Sequence, residues 1–166
     1  MKNIFNNWYL TKMRATTELA QKTDQVELLL AEVKTIAIVG ISRNPHRDSQ
    51  FVGRYLQSAG YKIVPVNPGA DQILGERCYP DLKSIPFPID VVNIFRLPED
   101  IPAASNEALS INPKVIWLQL GTGDHPAVRK KAESLDVKLV QKRCIKVDYQ
   151  FLIRPKFNNN THSTNQ

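Results

Sequence analysis

The stretch Gly40-Ile41-Ser42-Arg43-Asn44-Pro45-His46-Arg47-Asp48-Ser49 gathers hydroxyls, guanidinium groups and backbone donors within the length of one loop. Set just ahead of a helix N-terminus, these are the donors that a pyrophosphate needs. The same residues also fit an ordinary strand-to-helix loop in which Ser49 caps the helix, and both readings stand at this level. Groups able to carry out a reaction are sparser. His46 lies in this loop, as a ligand contact or as an exposed loop residue. His125 follows Gly121-Thr122-Gly123-Asp124 and belongs to a turn and helix cap, while His162 falls near the C-terminus. No two histidines have metal-ligand spacing, and no serine sits in a nucleophile elbow. Cys144 adjoins Arg143 and lies near Lys142 and Lys146, and neighbouring positive charge lowers a thiol pKa. A small residue packed behind a strand is the competing account of Cys144. No catalytic residue and no metal ligand is assigned; the expected role is binding.

The elements around this loop follow from hydrophobic patterning. Val26, Leu29, Leu30 and Val33 share one face of a helix from Thr23 to Lys34, with Thr23 as its cap. Thr35 to Val39 is an apolar, β-branched run closed by Gly40, the mark of a strand buried on both faces. Gln50 to Ala59 reads as a helix ended by Gly60, and Tyr61 to Val66 as a second strand stopped by Asn67-Pro68-Gly69. Asp90 to Phe95, Lys114 to Leu120 and Val137 to Gln141 are the remaining strands. Pro98-Glu99-Asp100 and Asp124-His125-Pro126 open the helices between them. Asp71 to Pro88 has several prolines and no helical period, so it reads as an irregular crossover. The alternation predicts an α/β, Rossmann-like, doubly wound parallel sheet of about five strands in a single domain. The expected strand order is 3-2-1-4-5. Ligands of such sheets bind beyond the carboxyl ends of the strands, which here are Gly40–Ser49, Asn67-Pro68, Phe95-Arg96 and Gln119–Gly123.

An NAD(P)-binding oxidoreductase-type domain is the alternative for such an edge. Of the G-x-G-x-x-G glycines only Gly40 stands, and the acid expected at the end of the second strand is replaced by Asn67. The pieces Val39-Gly40-Ile41-Ser42, Pro45-x-Arg47-x-Ser49, Gly60-Tyr61, Pro65-Val66-Asn67-Pro68, Asp90-Val91-Val92, Phe95-Arg96, Trp117-Leu118-Gln119-Leu120-Gly121 and Arg143-Cys144 occur in order. From about Thr35 to Asp148 the chain thus resembles the small stand-alone CoA-binding domain proteins, which are similar to the CoA-binding domain of the succinyl-CoA synthetase α subunit.

The resemblance implies coenzyme A or a short acyl-CoA as ligand. Gly40, Ser42, Arg47 and Ser49 would hold the pyrophosphate, and Pro65, Asn67 and Pro68 would wall the adenosine end. Phe95 and Arg96 would flank the pantetheine arm or a phosphate, and Gln119 and Gly121 would close the other side. Trp117 is read as a core aromatic, and Cys144 as a candidate to meet the CoA thiol in a mixed disulfide. Asp48 departs from the family, which commonly has proline there. Related CoA ligases use a histidine in a further domain and an ATP-grasp unit, for which this chain has no room.

The totals bound the rest. At 166 residues and 42% hydrophobic, one domain with a real core is expected. We divide the chain into an N-terminal extension (1–22), the Rossmann-like CoA-binding domain (23–154) and a disordered tail (155–166). The first residues are basic and acid-poor like an organelle-targeting peptide, but are read as an untemplated extension. The triplet Asn159-Asn160-Thr161 is a chance glycosylation signal. Net charge is +6, with a loose basic cluster of Arg129, Lys130, Lys131, Lys138, Lys142, Arg143 and Lys146. That cluster lacks the density and aromatic interleaving of a nucleic-acid surface, and no apolar run reaches the roughly 20 residues of a membrane span. Two distant cysteines point to a reducing, cytoplasmic setting. An unidentified protein partner is a further expectation.

Overall fold

The computed structural model describes residues 22–156. In chain order the elements are α1 (described over 22–32), β1 (Thr35–Val39), α2 (Asp48–Ser58), β2 (Lys62–Val66), β3 (Gln72–Ile73) and β4 (Glu76–Arg77). They continue with β5 (Val91–Ile94), a 3-10 turn (Pro98–Asp100), α3 (Ile101–Ser110), β6 (Val115–Gln119), α4 (Pro126–Ser134), β7 (Lys138–Arg143) and α5 (Ile145–Asp148). A π-helical turn (Tyr149–Ile153) follows α5, and residues 154–156 remain helical, with Lys156 pairing with Glu27 of α1. Among the described residues no helix is long and apolar enough to cross a membrane. Of the tail expected to be disordered (155–166), Pro155 and Lys156 are instead helical; its remainder, the glycosylation triplet, His162 and the N-terminal extension through Gln21 lie outside the described residues.

Five strands form one parallel sheet in the order β2-β1-β5-β6-β7, and β3 and β4 make a separate hairpin. The strand residues are apolar in succession because both faces are covered. Ile36, Ile38, Val91, Val115 and Trp117 point to the face that carries α1, α2, α5 and the π turn. Ala37, Val39, Val92, Ile94, Ile116 and Leu118 point to the opposite face, under α3, α4 and the segment around Tyr79 to Ile89. The architecture is the doubly wound α/β domain that patterning predicts.

Strand order is a correction. Counting the five parallel strands along the chain, the order is 2-1-3-4-5 rather than 3-2-1-4-5. The cause is legible at the outer side of β2. Tyr79 N–H donates to the Pro65 carbonyl at 2.9 Å, so the Pro65 nitrogen, which has no hydrogen, faces the same outer side. A full strand laid there would lose a ladder bond. The chain instead makes one bridge at Tyr79, crosses over β1 and pairs β5 with the other side of β1. The switch in strand order thus falls between β1 and β5.

The opposite ends of these strands are pinned by Asp90. Its Oδ2 accepts from the N–H groups of Lys34 (2.8 Å) and Thr35 (3.0 Å), and its Oδ1 pairs with Lys114 Nζ at 2.9 Å. Burial works against the charged carboxyl. The Lys114 pair and the two backbone donors outweigh burial and bring the pKa down to about 2. Two local expectations shift: Lys22 is already helical, so Thr23 lies inside α1 and not at its cap. Ser49 is the second residue of α2, whose N-cap position is Arg47.

Candidate functional site

At the switch point, β1 ends in Gly40 at φ +82°, a conformation that glycine alone adopts freely. A Cβ here would stand 2.2 Å from the Phe95 carbonyl oxygen, so Gly40 also permits the ends of β1 and β5 to meet. The loop that follows is ordered by its own side chains. Ser49 Oγ accepts from Ser42 N–H, Ser42 Oγ accepts from Asn44 N–H, and Asn44 Oδ1 accepts from His46 N–H, each near 3 Å (3.0, 3.0 and 2.9 Å). Gln50 Nε2 donates to the Arg43 carbonyl at 3.0 Å, and Arg54 to the Pro45 carbonyl at 3.0 Å. Ser49 is buried, while Arg47 and His46 are exposed. Asp48 stands in the first turn of α2, where a carboxylate favours the helix dipole.

Gly53 was not singled out by sequence. A Cβ there would come within 3.0 Å of Ile38 Cδ1 and 3.1 Å of Leu74 Cδ1. It therefore lets α2 lie close on β1, the packing that the third fingerprint glycine provides in dinucleotide-binding domains.

On the β2 side, Asn67 ties neighbouring loops together. Its Nδ2 donates to the Ile41 carbonyl at 2.8 Å, and its Oδ1 accepts from Gly69 N–H at 2.7 Å. Pro65 is buried within β2, and Pro68 is exposed beyond it. These residues shape the edge of the site, and the Asn67 amide holds the β1 loop in place.

Across β1 the edge deepens into a cleft of about 610 Å³, lined by Arg47, Phe95, Arg96, Leu97, Asp100, Gln119, Leu120, Gly121 and Thr122. The structure thus brings Arg47, Phe95, Arg96, Gln119 and Gly121 together, while Gly40, Ser42 and Ser49 form the loop beside them. Neither Arg47 nor Arg96 has an ion pair among the described residues, so both guanidinium groups are free to meet an anion. The N-termini of α2, α3 and α4 open on this edge of the sheet and add partial positive charge. Leu97 and Leu120 are 63% and 65% exposed and give the cleft an apolar rim. Sequence reasoning placed Leu120 and Thr122 on this edge without a role and missed Leu97 and Asp100 as lining residues.

Behind the cleft, Gln119 is buried and donates through Nε2 to the Cys144 sulfur at 3.0 Å. Trp117 is fully buried, as expected of a core aromatic, and its Nε1–H donates to the Arg143 carbonyl at 2.9 Å. The cations that sequence places around half-buried Cys144 are engaged elsewhere. Arg143 makes a two-pronged pair with Asp148 (2.6 and 2.7 Å), which pushes its pKa up. Lys142 pairs with Asp124 at 2.9 Å, and Lys146 lies over the rings of Phe51 and Tyr55. His125 belongs to a turn, its Nε2 lying 2.8 Å from the Thr122 carbonyl oxygen.

Comparison with known proteins gives the chain a family. A family profile described as CoA binding domain matches residues 34–150. The Bacillus subtilis (strain 168) protein YneT is 38% identical over 123 residues, covering 74% of this chain and 90% of YneT. Acetate–CoA ligase [ADP-forming] II of Archaeoglobus fulgidus is 38% identical over 63 residues, which are 37% of this chain but only 9% of the ligase. Among solved structures, a Pyrococcus horikoshii OT3 protein aligns with TM-score 0.74 and 34% identity, covering 79% of this chain and 92% of its own. The Thermus thermophilus protein cell-free ID.343 aligns with TM-score 0.74 and 31% identity, over 79% and 98% respectively.

Proposed function

We propose that this chain, which belongs to the CoA binding domain family, holds coenzyme A or a short acyl-CoA across the C-terminal edge of its sheet. The observation that carries the reading is the cleft at the ends of β5 and β6, where Arg47 and Arg96 stand without ion pairs among the described residues and beside three helix N-termini. Charge of this sign, fixed by rigid elements, suits the phosphates of a nucleotide. Ser42 and the loop ordered through Ser49 sit with Arg47 on the phosphate side. Pro65, Asn67 and Pro68 border the adenosine end. Phe95, Leu97 and Leu120 offer apolar surface to the arm, and Gln119 and Gly121 bound it on the far side. The chain serves as a binding module, supplying the ligand to a protein partner in a reducing, cytoplasmic setting, and no residue of the cleft is assigned a catalytic role. Position 67 argues against the dinucleotide alternative, because an asparagine tied to the Ile41 carbonyl and the Gly69 N–H stands where an acid would take the ribose hydroxyls.

The test is thermal shift with CoA, acetyl-CoA, NAD, NADP and ATP, since stabilisation follows affinity by mass action. CoA or acetyl-CoA should raise the melting temperature of the wild type. Arg47→Ala and Arg96→Ala, both at exposed positions, should abolish that rise and leave the unliganded melting temperature nearly unchanged. A rise with NAD and none with CoA would overturn the reading.

A further inference from the structure

Asn93, in the middle of β5, is fully buried, and neither its Oδ1 nor its Nδ2 has a hydrogen-bond partner among the described residues. A carboxamide kept from water with nothing to bond is among the costliest groups a core can contain. Register places it between Ile38 of β1 and Trp117 of β6. Ile38 has no polar side-chain atom, and the single donor of Trp117 is spent on the Arg143 carbonyl. The neighbouring strands therefore leave the amide unmet, and no other described residue supplies a partner.

Alternation along β5 puts Asn93 on the same face as Phe95, two residues nearer the cleft. Phe95 is half-buried and lines that cleft, and the Asn93 backbone lies two residues, about 7 Å, back along the strand from it. A primary carboxamide presents donors and an acceptor side by side, and its best complement is another amide. The pantetheine arm of CoA contains secondary amides along an otherwise apolar chain.

We propose that Asn93 is a specificity residue that pairs with an amide of the pantetheine arm once the Phe95 ring turns aside. The proposal rests on the CoA reading and adds to it a means of distinguishing CoA from nucleotides that lack the arm. In the unliganded protein the subsite is closed, and ligand entry satisfies the orphaned amide.

Titration calorimetry on wild type, Asn93→Ala and Asn93→Leu tests this, using CoA and its phosphorylated adenosine diphosphate head with the arm removed. Both variants should weaken CoA by about tenfold or more, since a ligand amide would be buried unpaired. Affinity for the armless head should stay as in wild type. Replacing an unsatisfied polar group by leucine should also hold or raise the melting temperature of the unliganded protein, and the alanine variant serves where leucine overfills the site. In isotope-labelled protein, the Asn93 side-chain amide resonances should move with CoA and stay still with the armless head. Equal CoA affinity in all three proteins, as expected if a buried water satisfies Asn93, overturns the inference while leaving the CoA reading intact. Wild type that binds neither ligand overturns both.

Discussion

Replacing Gly40 with alanine tests the link between the sheet's switch point and the site. The left-handed backbone at φ +82° costs an alanine about 1–2 kcal/mol. The new methyl would also stand 2.2 Å from the Phe95 carbonyl oxygen, where real contacts essentially never fall below 3.0 Å. Relieving that overlap needs about 1 Å of separation between the ends of β1 and β5, an overpacking cost of about 1–3 kcal/mol. The Phe95 N–H to Val39 carbonyl bond, 2.9 Å long, is stretched by the same movement. Its loss adds about 1 kcal/mol, for a total of about 3–6 kcal/mol. Gly60 is the control. It has φ +100° with nothing within 4 Å of the added atom, so alanine there should cost only the backbone strain, about 1–2 kcal/mol. Urea unfolding followed by circular dichroism would measure both variants. Gly40→Ala should lose at least twice the stability that Gly60→Ala loses. It should also lose the thermal response to CoA, because Phe95, Arg96 and the loop after β1 all move. A Gly40→Ala protein no less stable than Gly60→Ala would refute the close-approach argument.

Asp90→Asn should lower stability at neutral pH by about 2 kcal/mol, from a pKa held at about 2 against an ordinary value of 3.8. The sign follows from the depressed pKa: the contribution is present above pH 3.8, fades as pH falls toward 2, and the two proteins should converge there in acid unfolding. Because Lys114 is exposed, added salt should narrow the gap at neutral pH. Asp48→Asn should act in two directions: removing a carboxylate from the first turn of α2 weakens the helix by about 0.3–1 kcal/mol. It should strengthen CoA binding by about threefold in low salt, through lost repulsion of the phosphates, as calorimetry would show.

Much of this fold was legible because buried parallel strands are written as nearly continuous apolar runs rich in β-branched residues, as in Thr35–Val39 and in Val115–Gln119 up to its last residue. Strand order was less legible, since patterning says that β5 is a strand but not which side of β1 it joins. Pro65 held the answer, yet its meaning depends on which side of β2 its nitrogen faces, and that is a property of the assembled sheet. The site divides along the same line. That the loops at the strand ends form one edge follows from the architecture, so Arg47, Phe95, Arg96, Gln119 and Gly121 could be named in advance as cleft residues. What each polar group has left to offer could not be named. Asn67 reads as a ligand contact and is already committed, with Nδ2 on the Ile41 carbonyl and Oδ1 on the Gly69 N–H. The cations around Cys144 read as activating and are tied to Asp124, Asp148 and an aromatic pair. Asn93 reads as one polar residue in an apolar strand and holds the one buried carboxamide wholly unmet among the described residues. Residue type says what a side chain can bond, and only its neighbours say whether that capacity is already used. On the proposed reading, ligand binding therefore falls to groups left unpaired among the described residues: Arg47 and Arg96 at the rim of the cleft, and Asn93 beneath it.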